Sequence, residues 1–152
     1  MSVLSWGKPT IKYASSTNGV PGSNWTAFPT PKEGTTQLET TEGDSKEAKE
    51  EGGAVVDAVY NVSDFSLRFT LFVKKVDGGD FEAPLSPVDG KVTGEYAIQI
   101  TPEDPECPGF QIDKARITVA TTYNSNDGIE LTYTCRALKP ADGEIVKIKK
   151  IS

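Results

Sequence analysis

The stretch FSLRFTLFVKK, residues 65–75, alternates between apolar and polar side chains along most of its length. Successive side chains of a β-strand point to opposite faces, so a period of two predicts a half-buried strand. The face predicted to be buried carries Phe65, Leu67, Phe69, Leu71 and Val73, and the opposite face carries Ser66, Arg68, Thr70, Phe72 and Lys74.

The same alternation recurs in GEYAIQI (94–100), ARITVATTY (115–123) and IELTYTCRAL (129–138). Asn and Gly in NSNDG (124–128) tolerate positive φ, which predicts a hairpin between the last two stretches. PADG (140–143) similarly predicts a hairpin, which leads into a weaker final strand, EIVKIKKI (144–151). One-sided alternation joined by tight turns predicts a mainly β fold, an antiparallel β-sandwich or barrel with at most one or two short helices.

Length and composition predict one domain, residues 1–152, and argue against several functions. The net charge of −6 argues against a basic nucleic-acid-binding face, and the absence of histidine removes the commonest general base and zinc ligand. No catalytic or metal-binding motif is present, so we predict neither an enzyme nor a cofactor or metal site. The two cysteines, Cys107 and Cys135, could be two free thiols or form one disulfide bridge.

The N-terminal part of the chain, residues 1–34, is rich in Gly, Pro, Ser and Thr, which predicts an extended segment with a short strand at PTIKYA (9–14). Trp25 and Phe28 are too apolar for a freely moving arm, so they are expected to dock on their own domain or on a neighbouring subunit. The first residues do not have the pattern of a signal peptide, and no apolar run reaches membrane-spanning length.

The most polar segment is TTEGDSKEAKEEGG (40–53), which is followed by AVVDAVY (54–60), predicted to be a buried strand. A short helix capped by Asp44 or Ser45 and ended by Gly52 is locally reasonable, but no apolar stripe would hold it on a core. A hairpin that turns at the glycine pair is the alternative. We favour an acidic loop or hairpin arm within residues 35–54, ordered by assembly.

The order of these features resembles the phage tail tube (major tail) proteins, particularly those of Bacteroides-type prophages, which are related to the inner-tube proteins of contractile injection systems. The resemblance rests on GTTQLETTEGDSKEAKEEGGAVVDAVY, FSLRFTLFVKK, GEYAIQITPEDP and the final CRALKPADG, and it spans residues 34–143. It implies stacked, hexameric rings that form a conduit for DNA or effector and catalyse no reaction. It further implies other tail proteins as partners, DNA that passes without specific binding, and a place in the host cytoplasm during assembly and then in the virion tail.

Two sets of residues follow as expectations. One is a subunit interface, and the other is a polar sheet face that lines the lumen or meets a partner, although an ordinary solvated face has the same composition. Arg68, Arg116 and Arg136 are expected to pair with carboxylates or to lie at subunit contacts. The interface set is Trp25, Phe28, Glu42, Asp44, Lys46, Glu47, Lys49, Glu50 and Glu51, and the lumen or partner set is Arg68, Thr70, Gln99, Thr118, Thr132 and Thr134.

The alternative function is a β-sandwich that binds a ligand or carbohydrate. Such a module would group exposed aromatic side chains on one face. Trp6, Trp25, Tyr60 and Phe81 are the candidates, and the sequence does not place them together.

Overall fold

The structure is a computed structural model that describes residues 4, 6–17, 19–74, 76–140 and 143–151. Within these residues there are eleven β-strands and no helix. The strands are β1 (Thr10–Thr17), β2 (Val20–Pro21), β3 (Thr26–Ala27), β4 (Gln37–Thr41), β5 (Ser45–Lys49), β6 (Val55–Tyr60), β7 (Asp64–Phe72), β8 (Tyr96–Thr101), β9 (Gly109–Asn124), β10 (Gly128–Ala137) and β11 (Val146–Lys149).

Nine strands form one antiparallel sheet, in which the order along the main path is β2-β1-β8-β9-β10-β7-β4. Two short strands extend it, because β3 pairs with β1 and β11 pairs with β9. The sheet curls into a half-barrel, which confirms the predicted mainly β, antiparallel fold. The remaining two strands, β5 and β6, pair with each other in a separate sheet.

Strand β7 follows its alternation except at Thr70, which is buried although it lies on the predicted polar face. Leu67, Phe69 and Leu71 are almost completely buried on the concave face, whereas Arg68 is exposed on the convex face. Phe69 lies opposite Tyr133 of β10, and their rings stack with centroids 5.5 Å apart. The concave face of the half-barrel is therefore the hydrophobic core.

The predicted hairpin at NSNDG is confirmed, because Asn124 of β9 pairs with Gly128 of β10. The predicted hairpin at PADG is wrong. Strand β11 pairs with the first four residues of β9 rather than with β10. The reason is the length of β9, which has 16 residues. Strand β10 pairs with β9 only from Ala115 onward, so the first residues of β9 on that side are left for β11 to pair with. Two residues of that turn, 141 and 142, lie outside the described residues.

The prediction of a buried strand at AVVDAVY is also wrong. Residues 55–60 do form a strand, but Val56, Val59 and Tyr60 are exposed. An apolar run predicts burial only if another layer covers it, and β6 pairs only with β5, which is exposed along its whole length. Because residues 45–49 are a strand, the helical interpretation of this segment is wrong as well.

Candidate functional site

Residues 42–60 form a hairpin arm that contains β5 and β6. The turn is closed by two backbone hydrogen bonds, in which Glu50 N donates to Ala54 O and Gly53 N donates to Glu50 O. Gly52 and Gly53 have φ values of 97° and 90°. Since side chains other than Gly rarely adopt such angles, the glycine pair is what allows the chain to reverse here.

The base of the arm is a close contact between its two ends. A Cβ atom on Gly43 would collide with the backbone carbonyl of Asn61, so only glycine fits there. Next to it, Asn61 N donates a hydrogen bond to Asp44 O over 2.8 Å. The arm is therefore a separate element, held at its base next to the end where β4 pairs with β7.

The arm concentrates the negative charge of the chain. It carries six carboxylates and two lysines, a net charge of −4 out of −6 for the whole protein. The one ion pair within it joins Lys49 Nζ and Glu47 Oε2 at 3.9 Å, and both side chains are exposed. Exposed pairs of this kind contribute little to stability. All seven charged residues of the predicted interface lie in the arm and are exposed: Glu42, Asp44, Lys46, Glu47, Lys49, Glu50 and Glu51.

The arm also leaves apolar side chains in water. The exposed fraction is 59% for Val59 and 72% for Tyr60, and Val55 and Val56 are each more than half exposed. Their neighbours across the hairpin are polar, since Val59 lies opposite Lys46 and Tyr60 lies opposite Ser45. The arm is therefore mixed in polarity on both faces.

The other two predicted interface residues lie outside the arm, in the main body of the protein. Phe28 is buried in the core, where its ring contacts those of Tyr13, Phe69 and Tyr133 at centroid distances of 4.7 to 5.6 Å. Phe28 N also donates to Ile11 O, which fixes the segment against β1. The expectation that Phe28 meets another subunit is therefore replaced by a role inside its own core, and Trp25 is half-buried.

The predicted lumen or partner residues all lie on the main sheet, but they are not equally accessible. Thr70 is buried next to the segment 32–35: Lys32 N donates to Thr70 O, Thr70 N donates to Thr35 Oγ1, and the Thr70 hydroxyl lies 3.1 Å from that of Thr132. Thr70 was expected on the accessible surface, and this prediction is wrong. Gln99 is half-buried and donates to Gln111. Arg68 and Thr118 are exposed, and Thr132 and Thr134 are half-buried.

All three arginines of the chain lie on adjacent strands, where they are exposed. Arg136 of β10 is directly opposite Arg116 of β9, and Arg68 of β7 is opposite Thr134, two residues from Arg136. Residues opposite each other, and those diagonal to them, share a sheet face. We call Arg68, Arg116 and Arg136 the arginine cluster.

Carboxylates compensate the arginine cluster only in part. Glu95 Oε1 lies 3.5 Å from Nη2 of Arg116 and 3.8 Å from Nζ of Lys114. Among the described residues, Arg68 and Arg136 have no carboxylate oxygen within 4.0 Å. The expectation of carboxylate pairing therefore holds for Arg116 within one subunit, and the other two arginines remain accessible.

One end of the half-barrel contains a cavity of about 1000 Å³. Its walls include Leu38, Leu67, Ile100 and Phe110 from four strands of the main sheet, and Trp6 also lines it. The sequence did not predict this cavity, because its walls come from strands that are distant along the chain. Of the other candidate aromatics, Tyr60 lies on the arm and Phe81 packs against the core, so they do not form one surface.

No protein-family model and no curated protein matches this chain. In the part of the chain that the structure describes, no group of three or more acidic or cysteine side chains is arranged to hold a metal ion. The described residues also include no helix with the length and apolarity needed to cross a membrane.

Proposed function

We propose that the protein is a structural subunit of a phage tail tube or injection tube, in which copies form stacked, hexameric rings around a conduit for DNA or effector. It catalyses no reaction. The observation that carries the proposal is the hairpin arm, whose two strands pair only with each other and leave Val59 and Tyr60 exposed. The arm has the properties of an element that a second copy covers.

The low stability of an isolated hairpin supports this proposal. A two-stranded hairpin without a packed face is marginally stable in water. Two to four exposed apolar side chains, each of which gains roughly 1.5–3 kcal/mol when it is fully buried, are a sufficient reason for the arm to bind a surface. The open sheet offers further contacts, because β4 at its edge is exposed and pairs on one side with β7.

The net charge of −6 suits a conduit along which DNA passes. Thr118 and Thr134 of the convex face lie beside the three arginines, so this polar face suits a contact with a partner rather than the wall of the lumen. Negative charge on a conduit repels phosphate and prevents the DNA from binding. Other tail proteins would cap such a tube, which would assemble in the host cytoplasm and then form part of the virion tail.

Electron microscopy of the concentrated protein tests this proposal. We expect rings or tubes for the wild type, and fewer of them for Val59→Asp, which places a charge on the arm. Val20→Asp is the matched control, because Val20 has a similar exposure of 65% and lies on the main sheet. A wild-type protein that stays monomeric at every concentration would overturn the proposal.

A second candidate function is the binding of an apolar small molecule, which the cavity favours. Its volume of about 1000 Å³ and a wall that combines Leu, Ile, Phe and Trp with the charged residues Lys8, Lys32 and Glu33 are typical of ligand pockets. A Trp25→Phe variant leaves Trp6 as the only tryptophan, at the edge of the cavity. A fluorescent apolar dye should then quench Trp6 with saturation if this function holds, and an unchanged emission would exclude it.

A further inference from the structure

We infer that the arginine cluster is the surface on which the acidic hairpin arm of a second copy docks, with carboxylates of the arm pairing with Arg68 and Arg136. This inference rests on the proposed assembly of copies and specifies the contact that holds two of them together. It starts from the arrangement of charge on the sheet.

The arginine cluster is unfavourable within an isolated subunit. Arg116 and Arg136 are directly opposite across β9 and β10, and like charges in that position destabilise a sheet. Arg68 is the diagonal neighbour of Arg136 and adds to the repulsion, which Glu39 of β4, the diagonal neighbour of Arg68 on the same face, offsets in part. Glu95 compensates Arg116 alone. Anionic groups supplied from outside would relieve this repulsion.

The surroundings of the cluster suit carboxylates. Ser66 is in register with Arg136, and Thr134 lies between Arg68 and Thr118. Hydroxyl groups at these positions supply hydrogen-bond donors beside the guanidinium groups. Arginine binds a carboxylate through two parallel hydrogen bonds, which a lysine does not do. The chain has thirteen lysines and three arginines, and all of the arginines are in this one cluster.

The arm supplies the matching charge. Glu47 lies on β5 and Glu50 and Glu51 lie at the turn, all of them exposed. With a net charge of −4, the arm is the most acidic element of the protein, and only Glu47 has an ion-pair partner within it. One chain therefore carries an acidic projection and a basic patch, which is the charge pattern of a head-to-tail contact between identical copies.

A nucleic acid would also be attracted by arginines, but the observations favour the arm. The protein has a net charge of −6, and its positive charge at this place is limited to one small patch. Binding to phosphates along a strand requires several basic contacts in a row. A single hairpin tip requires only a patch of this size.

Charge reversal tests the inference, with self-association measured by sedimentation velocity over a range of protein concentrations. We expect Arg68→Glu with Arg136→Glu, and separately Glu50→Lys with Glu51→Lys, to weaken self-association by about tenfold or more. In the arginine variant the arm and the altered patch are both acidic, and in the arm variant the tip at residues 49–51 carries three lysines and faces a basic patch. An equimolar mixture of the two variants should recover the wild-type association, because each arm then meets a patch of opposite sign.

Matched controls distinguish an effect of the contact between arm and cluster from an effect of net charge on self-association. Lys74→Glu with Lys149→Glu changes the net charge as much as the arginine variant, and Glu82→Lys with Glu144→Lys changes it as much as the arm variant. All four control residues are exposed and lie outside both the arm and the cluster. Circular dichroism should show the wild-type fold for every variant. Controls that weaken association as much as the test variants, or a mixture that fails to recover, would overturn the inference.

The outcomes also distinguish this inference from the proposed function. Rings or tubes that form equally well from the arginine variant would refute the docking contact and leave the tube function standing. Copies that associate through arm and cluster but never form rings or tubes would support the contact and refute the tube. If a 20-nucleotide single-stranded DNA binds the wild type but not the arginine variant, while self-association is unaffected by arm reversal, the partner is a nucleic acid and the inference fails.

Discussion

Burial sets the acidity of the Cys135 thiol in β10. It is fully buried between β7 and β9, opposite Leu67 on one side and Ile117 on the other. Burial disfavours the thiolate and raises the pKa of Cys135 from its ordinary value of 9.0 to about 12. Burial also raises the pKa of Tyr133, whose hydroxyl donates to the backbone oxygen of Pro84.

These shifts predict a loss of stability in alkali. Between pH 9 and pH 12 the unfolded chain loses the Cys135 proton while the folded chain keeps it, so the free energy of unfolding falls as pH rises. The expected slope is about 1.4 kcal/mol per pH unit for this one thiol once the pH exceeds 9. Urea unfolding at a series of pH values measures this slope.

A Cys135→Ala variant should be less stable at neutral pH and should lose less stability per pH unit above pH 9. Ile98→Val is the control, because it removes buried volume without a titrating group and should shift the whole curve by a constant. An identical alkaline slope in the wild type and in Cys135→Ala would contradict the assignment of the effect to this thiol.

At the scale of elements, the interactions that stabilise the main sheet differ from those that stabilise the hairpin arm. Strands β7, β9 and β10 share the buried ring and aliphatic cluster around Phe69 and Tyr133. The arm has backbone pairing, a glycine turn and exposed side chains. Removal of the arm should therefore lower the stability of the main sheet only slightly.

We predict that replacing residues 45–60 by Asn-Gly leaves the main sheet folded. Asp44 and Asn61 are already joined by a backbone hydrogen bond, and Asn-Gly favours the tight turn that connects antiparallel neighbours. The thermal unfolding midpoint of the monomer should change by only a few degrees, on the order expected for a change of less than about 1 kcal/mol. Circular dichroism measures it.

A comparison variant, Gly52→Ala with Gly53→Ala, strains the turn without removing the arm, since both glycines have positive φ. Hydrogen exchange should then accelerate at the amides of β5 and β6 and stay unchanged in β7 and β10. If the deletion variant fails to fold, the arm is part of the core and the division into two elements is wrong.

At the scale of the whole molecule, charge and apolar surface are distributed unevenly. The acidic arm, the arginine cluster and the cavity at one end of the half-barrel are three separate features on one subunit. The first two carry opposite charge, so the proposed docking of copies makes stability depend on protein concentration. Association stabilises a folded state by mass action.

We predict that the thermal unfolding midpoint of the wild type rises with protein concentration and that this rise weakens at high salt. Salt screens contacts between exposed charges, with a Debye length of roughly 3 Å at 1 M. The variant that lacks residues 45–60 should show no dependence on concentration. Differential scanning calorimetry over a hundredfold range of concentration would show this, and equal curves for both proteins would contradict it.

Local patterns in the sequence predicted β1, β7, β8, β10, β11 and the second half of β9, but not β2, β3 or β4. Period-two alternation identified the buried side of β7, because pleating places every second side chain on one face. The NSNDG turn predicted the hairpin of β9 and β10, and the structure added the register that places Arg116 opposite Arg136. The predicted features depend on residues close together along the chain.

Only the tertiary structure decided what covers each element. It left β6 in water although its sequence is apolar, brought Phe28 into the core, and placed β11 beside β9, where Lys147 reaches the buried Asp113. It also assembled the cavity and brought Arg68 next to Arg136. The physical reason is that burial and proximity are set by contacts between distant segments, whereas periodicity and turn chemistry are set by the backbone geometry of neighbouring residues.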